Sequence, residues 1–134
     1  MYNRVEREVA MAVLQKPDLN AGDIQAISGY LFETGIASRE EAELLFAADR
    51  SITAHVEGWR AFFIEAVTDF IVWQTRPTGR VTESDTDWLI ACLGDTPSTN
   101  GRALLFRLLG EAHDMPIRLV EAGLRFNQRK FARQ

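Results

Sequence analysis

The stretch TGRVTESDTDWLI, residues 78–90, joins a glycine turn to the start of a capped helix. Thr82 is placed to cap the first helical turn with its hydroxyl, and Asp85 stands three residues later, where its carboxylate can reach back to the capping residue. The same order of glycine turn, capping hydroxyl and acid occurs in TGIASREEAELLF, residues 34–46, with Ser38 in the place of Thr82. A helix start that is used twice predicts two helical hairpins of similar design.

The residues upstream of the two turns also match, with a shift of four positions. The stretch IQAISGYLF at 24–32 aligns with IEAVTDFIV at 64–72, and apolar positions fall on apolar positions. We therefore predict internal repeats at about 21–50 and 61–94, each made of a helix, a turn and a capped helix. Ser98 stands before a further apolar helical stretch and marks a degraded third copy of the same helix start.

Apolar residues recur at spacings of three and four along the chain, which predicts an all-α fold of about seven helices. The segment at about 57–74 contains WRAFFIEAVTDFIVW and is apolar around almost its whole circumference. A helix of that kind is usually the central one. We predict one domain over residues 1–134, a single compact bundle in which duplicated helix-turn-helix hairpins surround this helix. Its core is expected to hold Phe63, Phe70 and Trp73.

The ends of the other helices are predicted from capping residues and prolines. The first helix is expected from about Tyr2 to Lys16, where Pro17 follows. Asn20 and Ser38 should cap the second and third helices, each with an acid three residues later. Asp114 is expected to cap the seventh helix, whose buried stripe is predicted to be Ile117, Val120, Leu124 and Phe131.

Charge and hydropathy exclude several classes of protein. The net charge of −4 gives the molecule no general attraction to nucleic acid. The stretch 113–134 is locally basic, and we favour a solvated helix face over the alternative of a partner or phosphate site. No apolar run approaches the ~20 residues that span a bilayer. The first residues lack the continuous apolar region of a signal peptide, so a cytoplasmic protein is expected.

Catalytic motifs are missing from the sequence. It contains no G-x-S-x-G, no Walker A, no G-x-G-x-x-G and no H-E-x-x-H pattern. His55 and His113 lack companions at the spacing of metal ligands, and Cys92 stands alone in an apolar helical context. We therefore predict no cofactor and favour a protein that is not an enzyme.

Glu65 and Asp69 are the one pair of acids with a pattern suited to acid–base chemistry. They lie four residues apart, on one face of the predicted central helix, at the edge of its aromatic stripe. Partly buried carboxylates that lie close together have shifted pKa values, which is how acid–base sites are often made. In the structural alternative, Asp69 accepts hydrogen bonds from Arg76, from the Trp88 indole or from the turn that follows.

Residues 62–90 also resemble a family of small all-helical alphaproteobacterial proteins, for which no activity is established. The family pattern is E-A-x-T-D-[YF]-x-V, then P-x-G-x-V-[ST], then D-W-L. In this chain it is carried by Glu65, Ala66, Thr68, Asp69, Phe70, Val72, Pro77, Gly79, Val81, Thr82, Asp87, Trp88 and Leu89. The chain departs from the family after this region, where GDTPSTNG replaces a D-G turn.

The glycine turns are also similar to those of TerB-like tellurite-resistance domains and to the second half of an EF-hand loop. An acidic surface that attracts metal ions is what the TerB resemblance implies, and the candidate ligands are Glu40, Glu41, Glu43, Asp85 and Asp87. An EF-hand needs several oxygen ligands early in its loop. Both turns are poor in such ligands, because those positions hold Tyr30, Phe32 and Thr34, and Gln74, Arg76 and Thr78.

The leading hypothesis is a non-enzymatic helical module with a protein-interaction, regulatory or stress-related role. Its partner is expected to be a protein, and self-association is left open. One alternative is a TerB-like domain that responds to divalent cations. The other is a small enzyme or ligand binder that uses Glu65 and Asp69. No nucleic-acid partner and no membrane span are expected.

Overall fold

The computed structural model describes residues 4–127, which form seven α-helices and one π-helical segment. The helices are α1 (Arg4–Leu14), α2 (Ala21–Thr34), α3 (Arg39–Ser51), α4 (Trp59–Thr68), π1 (Asp69–Gln74), α5 (Glu83–Leu93), α6 (Thr99–Glu111) and α7 (Ile117–Phe126). Residues 4–127 contain no strand, so the all-α prediction is confirmed. The predicted helix start at Tyr2 and the predicted burial of Phe131 lie outside the described residues.

The chain divides into two compact units, Met1–Val67 and Thr68–Gln134. The first unit contains α1, α2, α3 and most of α4, and the second contains π1, α5, α6 and α7. Within the described part of the chain, no helix is both long enough and apolar enough to cross a membrane. A single domain over 1–134 stays a prediction, and so does the origin of the hairpins by duplication.

An aromatic cluster forms the core of the first unit. The Phe46 ring meets the Phe63 ring edge to face at 5.3 Å, and the Trp59 ring stacks on Phe63 at 5.7 Å. The Trp59 indole N–H donates to the Asp49 carboxylate at 2.9 Å, and both side chains are buried. This contact satisfies the polar edge of a tryptophan that is only 2% exposed. The predicted burial of Phe63 is confirmed.

Local capping signals correctly locate most helix starts. Asn20 Oδ1 accepts from the Asp23 amide at 3.0 Å, and Asp23 accepts from the Asn20 amide at 3.2 Å. Thr82 and Asp85 make the same reciprocal pair at 3.1 and 3.2 Å. Ser98 caps α6 by accepting from the amide of residue 101 at 3.0 Å. Each cap satisfies helix amides that have no partner within the helix.

Two predicted caps differ in the structure. Ser38 accepts from the Glu41 amide, but the Glu41 carboxylate accepts from the Ala37 amide at 2.8 Å and not from that of Ser38. The carboxylate also pairs with Arg7 of α1, a tertiary contact that local spacing does not reveal. The predicted Asp114 cap of α7 is wrong, because α7 follows Pro116 without a side-chain cap.

The central helix predicted over about 57–74 spans Trp59–Gln74, but its second part is not α-helical. It begins at Trp59, after Gly58 with φ +86°, and changes at Asp69 into π-helix. The amide of Thr75 donates to the carbonyl of Phe70, five residues back. A π turn holds more residues than an α turn, so the side chains that follow rotate out of the α-helical register. For this reason Trp73 is 40% exposed, and its predicted burial is wrong.

The predicted buried stripe of α7 is also wrong. Ile117 is 74% exposed and Leu124 is 43% exposed. The buried residues of α7 are Leu119, Ala122 and Gly123. A Cβ atom on Gly123 would lie 2.9 Å from the Leu109 side chain of α6, so α7 approaches α6 through its smallest residues. Hydropathy patterns weight large side chains and miss a close approach of this kind.

Candidate functional site

Backbone hydrogen bonds hold two turns of the second unit side by side. One turn follows π1 and the other joins α6 to α7. The His113 amide donates to the Gly79 carbonyl at 2.7 Å, and the Val81 amide donates to the Asp114 carbonyl at 2.9 Å. Arg80 and Asp114 add an ion pair at 2.9 Å across the same turns. These contacts hold residues 79–81 next to residues 113–114 and thereby fix the positions of the side chains around them. We call these two segments the paired turns.

Glycine is required at position 79 of the paired turns for two reasons. Its φ is +82°, in the left-handed region that favours glycine, and a Cβ atom there would lie 3.2 Å from His113 Nδ1. The Gly79 amide also donates to the Val72 carbonyl of π1 at 2.6 Å. The glycine thus connects the end of π1 to the turn that carries His113.

We expect Gly79→Ala to destabilise the second unit by about 1–2 kcal/mol, the cost of left-handed geometry for a residue with a Cβ. Gly110→Ala is the matched control, because a Cβ on that α6 glycine meets no atom within 4 Å. It should leave stability unchanged or raise it by up to about 1 kcal/mol. Urea unfolding followed by circular dichroism measures both. Equal effects of the two substitutions would contradict this account of the turn.

Trp73 is exposed next to the paired turns, and two other side chains contact it. The Trp73 indole N–H donates to Glu111 Oε1 at 3.2 Å, and the His113 ring meets the indole edge to face at 5.7 Å. Arg107 pairs with Glu111 at 3.6 Å, one turn earlier on α6. We call Trp73, Arg107, Glu111 and His113 the Trp73 cluster. It presents an oriented aromatic face among charged and polar groups.

The Trp73 cluster is suited to contact rather than to catalysis. The Glu111 carboxylate already accepts from Trp73 and pairs with Arg107, so it is not a free base. His113 is exposed, and its ring packs against Trp73. The sequence does not predict the cluster, because Trp73 and His113 lie far apart along the chain and meet only in the folded structure. The α-helical register also placed Trp73 in the core.

The predicted acid pair occupies different surroundings. Glu65 is an exposed residue of α4 in the first unit, and Asp69 is the first residue of π1 in the second. Asp69 is exposed as a residue, and partial desolvation of its carboxyl raises the pKa above its usual range. The neighbouring Thr68 hydroxyl is buried without a hydrogen-bond partner in residues 4–127. Acid–base chemistry by Glu65 and Asp69 stays a prediction.

The predicted metal ligands make other contacts. Glu40, Glu41 and Glu43 lie in α3 of the first unit, whereas Asp85 and Asp87 lie in α5 of the second. Glu41 pairs with Arg7, Asp85 serves the α5 cap, and Asp87 pairs with Arg118 at 2.7 Å. Within residues 4–127, no group of three or more His, Cys, Asp or Glu side chains is arranged to hold a metal ion.

The remaining candidate side chains are separate from this site. His55 is exposed in the segment between α3 and α4, in the first unit. Cys92 is half-buried on α5. Comparisons of the chain with protein-family models, with curated proteins and with solved structures found no match. The Trp73 cluster is therefore interpreted from its own geometry.

Proposed function

We propose that this chain is a non-enzymatic protein-interaction module that uses Trp73 as an anchor for a protein partner. The observation that supports the proposal is the exposure of Trp73, at 40%, in an orientation fixed by Glu111 and His113. Tryptophan is among the residues that contribute most to binding at protein interfaces. A side chain that is already ordered loses little conformational entropy when it binds.

The surroundings of Trp73 support a protein partner as well. Specific interfaces place an aromatic anchor inside a rim of polar and charged groups. Arg107 and Glu111 supply both signs of charge beside the indole, and His113 borders it on another side. A regulatory or stress-related role belongs to this proposal. So does a cytoplasmic location, which is consistent with a sequence that contains a single cysteine.

The proposal is tested with the full chain immobilised and incubated with extract of its native cell. We expect a partner that wild type retains and that Trp73→Ala retains at least about 10-fold less, since a tryptophan anchor contributes ~2 kcal/mol or more. Val9→Ala is the control, because Val9 is 58% exposed on α1 of the first unit. Circular dichroism establishes that each variant is folded. Equal retention by all three chains would refute the role of Trp73.

A ligand-binding or catalytic role for Glu65 and Asp69 is the second candidate. Its support is the raised pKa of the Asp69 carboxyl. The preceding residue, Thr68, has a buried hydroxyl without a hydrogen-bond partner within residues 4–127. A carboxyl group with a raised pKa is a better proton donor near neutral pH. Binding of a small molecule that Asp69→Asn abolishes, in a chain that stays folded, would favour this candidate over the first.

The TerB-like alternative of a divalent-cation response has less support. Glu41 and Asp87 are engaged by arginines, and Asp85 is a buried capping residue. A cation would have to displace those contacts before it could bind. A rise in melting temperature with calcium or magnesium, reversed by EDTA, would favour this alternative, because a ligand that binds only the folded state stabilises it.

A further inference from the structure

We propose that the outer face of α7 is a self-association surface, on which a second copy of this chain docks with the two α7 helices antiparallel. The surface consists of Ile117, Val120, Leu124 and Arg125 on α7, with Glu83 and Asp87 of α5 beside its first turn. We call it the α7 face. It is separate from the Trp73 cluster in composition, so the two proposals can fail independently.

The α7 face carries apolar side chains without a covering element among the described residues. Ile117 is 74% exposed and Leu124 is 43% exposed. They lie seven residues apart, which places them two turns apart on one side of the helix, with half-buried Val120 between them. The opposite side of α7 packs inward through Leu119 and Ala122. An apolar stripe that faces away from its own core is typical of an interaction surface.

The first turn of α7 carries a surplus negative charge. The Arg118 guanidinium donates to Glu83 at 2.8 Å and to Asp87 at 2.7 Å. Two carboxylates therefore share one positive group, and both acidic side chains remain 73% exposed. Among residues 4–127, the ion pairs at the amino-terminal end of the α7 face thus leave one negative charge unbalanced.

The last turn of α7 carries the opposite charge. The Arg125 guanidinium lies over the Phe126 ring at 4.8 Å, and no ion pair engages it within residues 4–127. A guanidinium placed over an aromatic ring keeps its N–H groups available for a carboxylate. The α7 face is therefore acidic at one end and basic at the other, with the apolar side chains and the exposed Glu121 between them.

This order of charges makes the α7 face complementary to itself. A two-fold axis through the middle of α7 would place Arg125 of each copy near Glu83 and Asp87 of the other. It would also place Ile117 of each copy near Leu124 of the other. A parallel arrangement would instead set acidic end against acidic end. The charge pattern thus specifies a second, antiparallel copy of this chain as the occupant.

The expected dimer is weak. One helix face is small compared with the roughly 800 Å² that each partner buries in a standard interface. Glu121 lies on the same side of α7. Near the two-fold axis it would approach Glu121 of the other copy, and this contact between like charges weakens the dimer. We expect dissociation constants on the order of tens of micromolar, weaker at high salt because exposed charge pairs are screened.

Sedimentation equilibrium of the full chain over a wide concentration range tests the proposal. Wild type should show a reversible monomer–dimer equilibrium. Ile117→Asp should weaken it at least about 10-fold, the loss expected when a charge is buried in an apolar contact, whereas Val9→Asp, at an exposed apolar position of α1, should leave it unchanged. A monomer at every concentration would overturn the proposal. So would a dimer that is insensitive to Ile117→Asp, or one that both substitutions weaken equally.

Charge reversal tests the antiparallel geometry. Arg125→Glu alone should weaken the dimer, and so should Asp87→Lys alone. An equimolar mixture of the two variants should recover part of the lost affinity. In the mixed dimer, one contact joins the two substituted side chains, which have opposite charges, and the other joins the unchanged Arg125 and Asp87. No recovery on mixing would overturn the antiparallel arrangement. Trp73→Ala should leave the dimer intact, and its loss in that variant would place the interface elsewhere.

Discussion

Phe63→Ala is expected to destabilise the first unit by about 3–5 kcal/mol, the range for an aromatic residue removed from a core. Phe63 is fully buried, and its ring contacts Phe46 at 5.3 Å and Trp59 at 5.7 Å. Alanine would leave a cavity and would also remove the aromatic pairing, which contributes about 0.5–1.5 kcal/mol beyond burial. Urea unfolding followed by far-ultraviolet circular dichroism measures the loss.

Phe106→Ala is the control for that substitution. Phe106 lies on α6 in the second unit and is 39% exposed, so its truncation should cost clearly less. If both variants lose the same stability, Phe63 is not the centre of a packed core. If Phe63→Ala unfolds the chain at room temperature, the control still establishes whether the loss of a phenylalanine at a surface position is tolerated.

Asp49→Ala is expected to destabilise the first unit by about 2–3 kcal/mol, close to the upper end of the cost of a buried group left without its partner. The Asp49 carboxylate is 8% exposed and accepts from the Trp59 indole at 2.9 Å. Alanine would leave the indole N–H buried without this acceptor and would also remove a charge-assisted hydrogen bond. The change should also alter the near-ultraviolet circular dichroism, because Trp59 would lose the contact that fixes its edge.

Asp49→Asn separates the hydrogen bond from the charge. The asparagine side chain keeps one carbonyl oxygen that can accept from the Trp59 indole. We expect it to retain most of the stability that Asp49→Ala loses, with the same unfolding assay. Equal destabilisation by Asn and Ala would mean that the indole contact is not the source of the stability that Asp49 contributes.

The sequence predicts the features of this fold that depend on neighbours along the chain. The caps at Asn20, Thr82 and Ser98 were predictable because a capping side chain reaches amides only two or three residues away. The helical class was predictable because apolar spacing of three and four recurs in every segment. Both signals depend on residues close together in sequence, so they predict helix starts and helical class without knowledge of tertiary contacts.

The features that sequence reasoning missed depend on tertiary packing. The register change at Asp69 leaves no mark in hydropathy, and it moves Trp73 from the predicted core to the surface. On α7, the close approach at Gly123 turns the large residues Ile117 and Leu124 outward. Both errors affect the candidate site directly, because the Trp73 cluster and the α7 face contain residues that the sequence assigned to the interior.

The Trp73 contacts have a spectroscopic consequence. The chain has three tryptophans, and they differ in environment: Trp59 is 2% exposed, Trp88 is half-buried and Trp73 is 40% exposed. Trp73 should therefore emit at the longest wavelength and be the one most quenched by iodide. A partner that covers the indole would shift this emission to shorter wavelengths and shield it from the quencher. The molecule thus carries its own optical reporter of occupancy, and binding can be titrated without an added label.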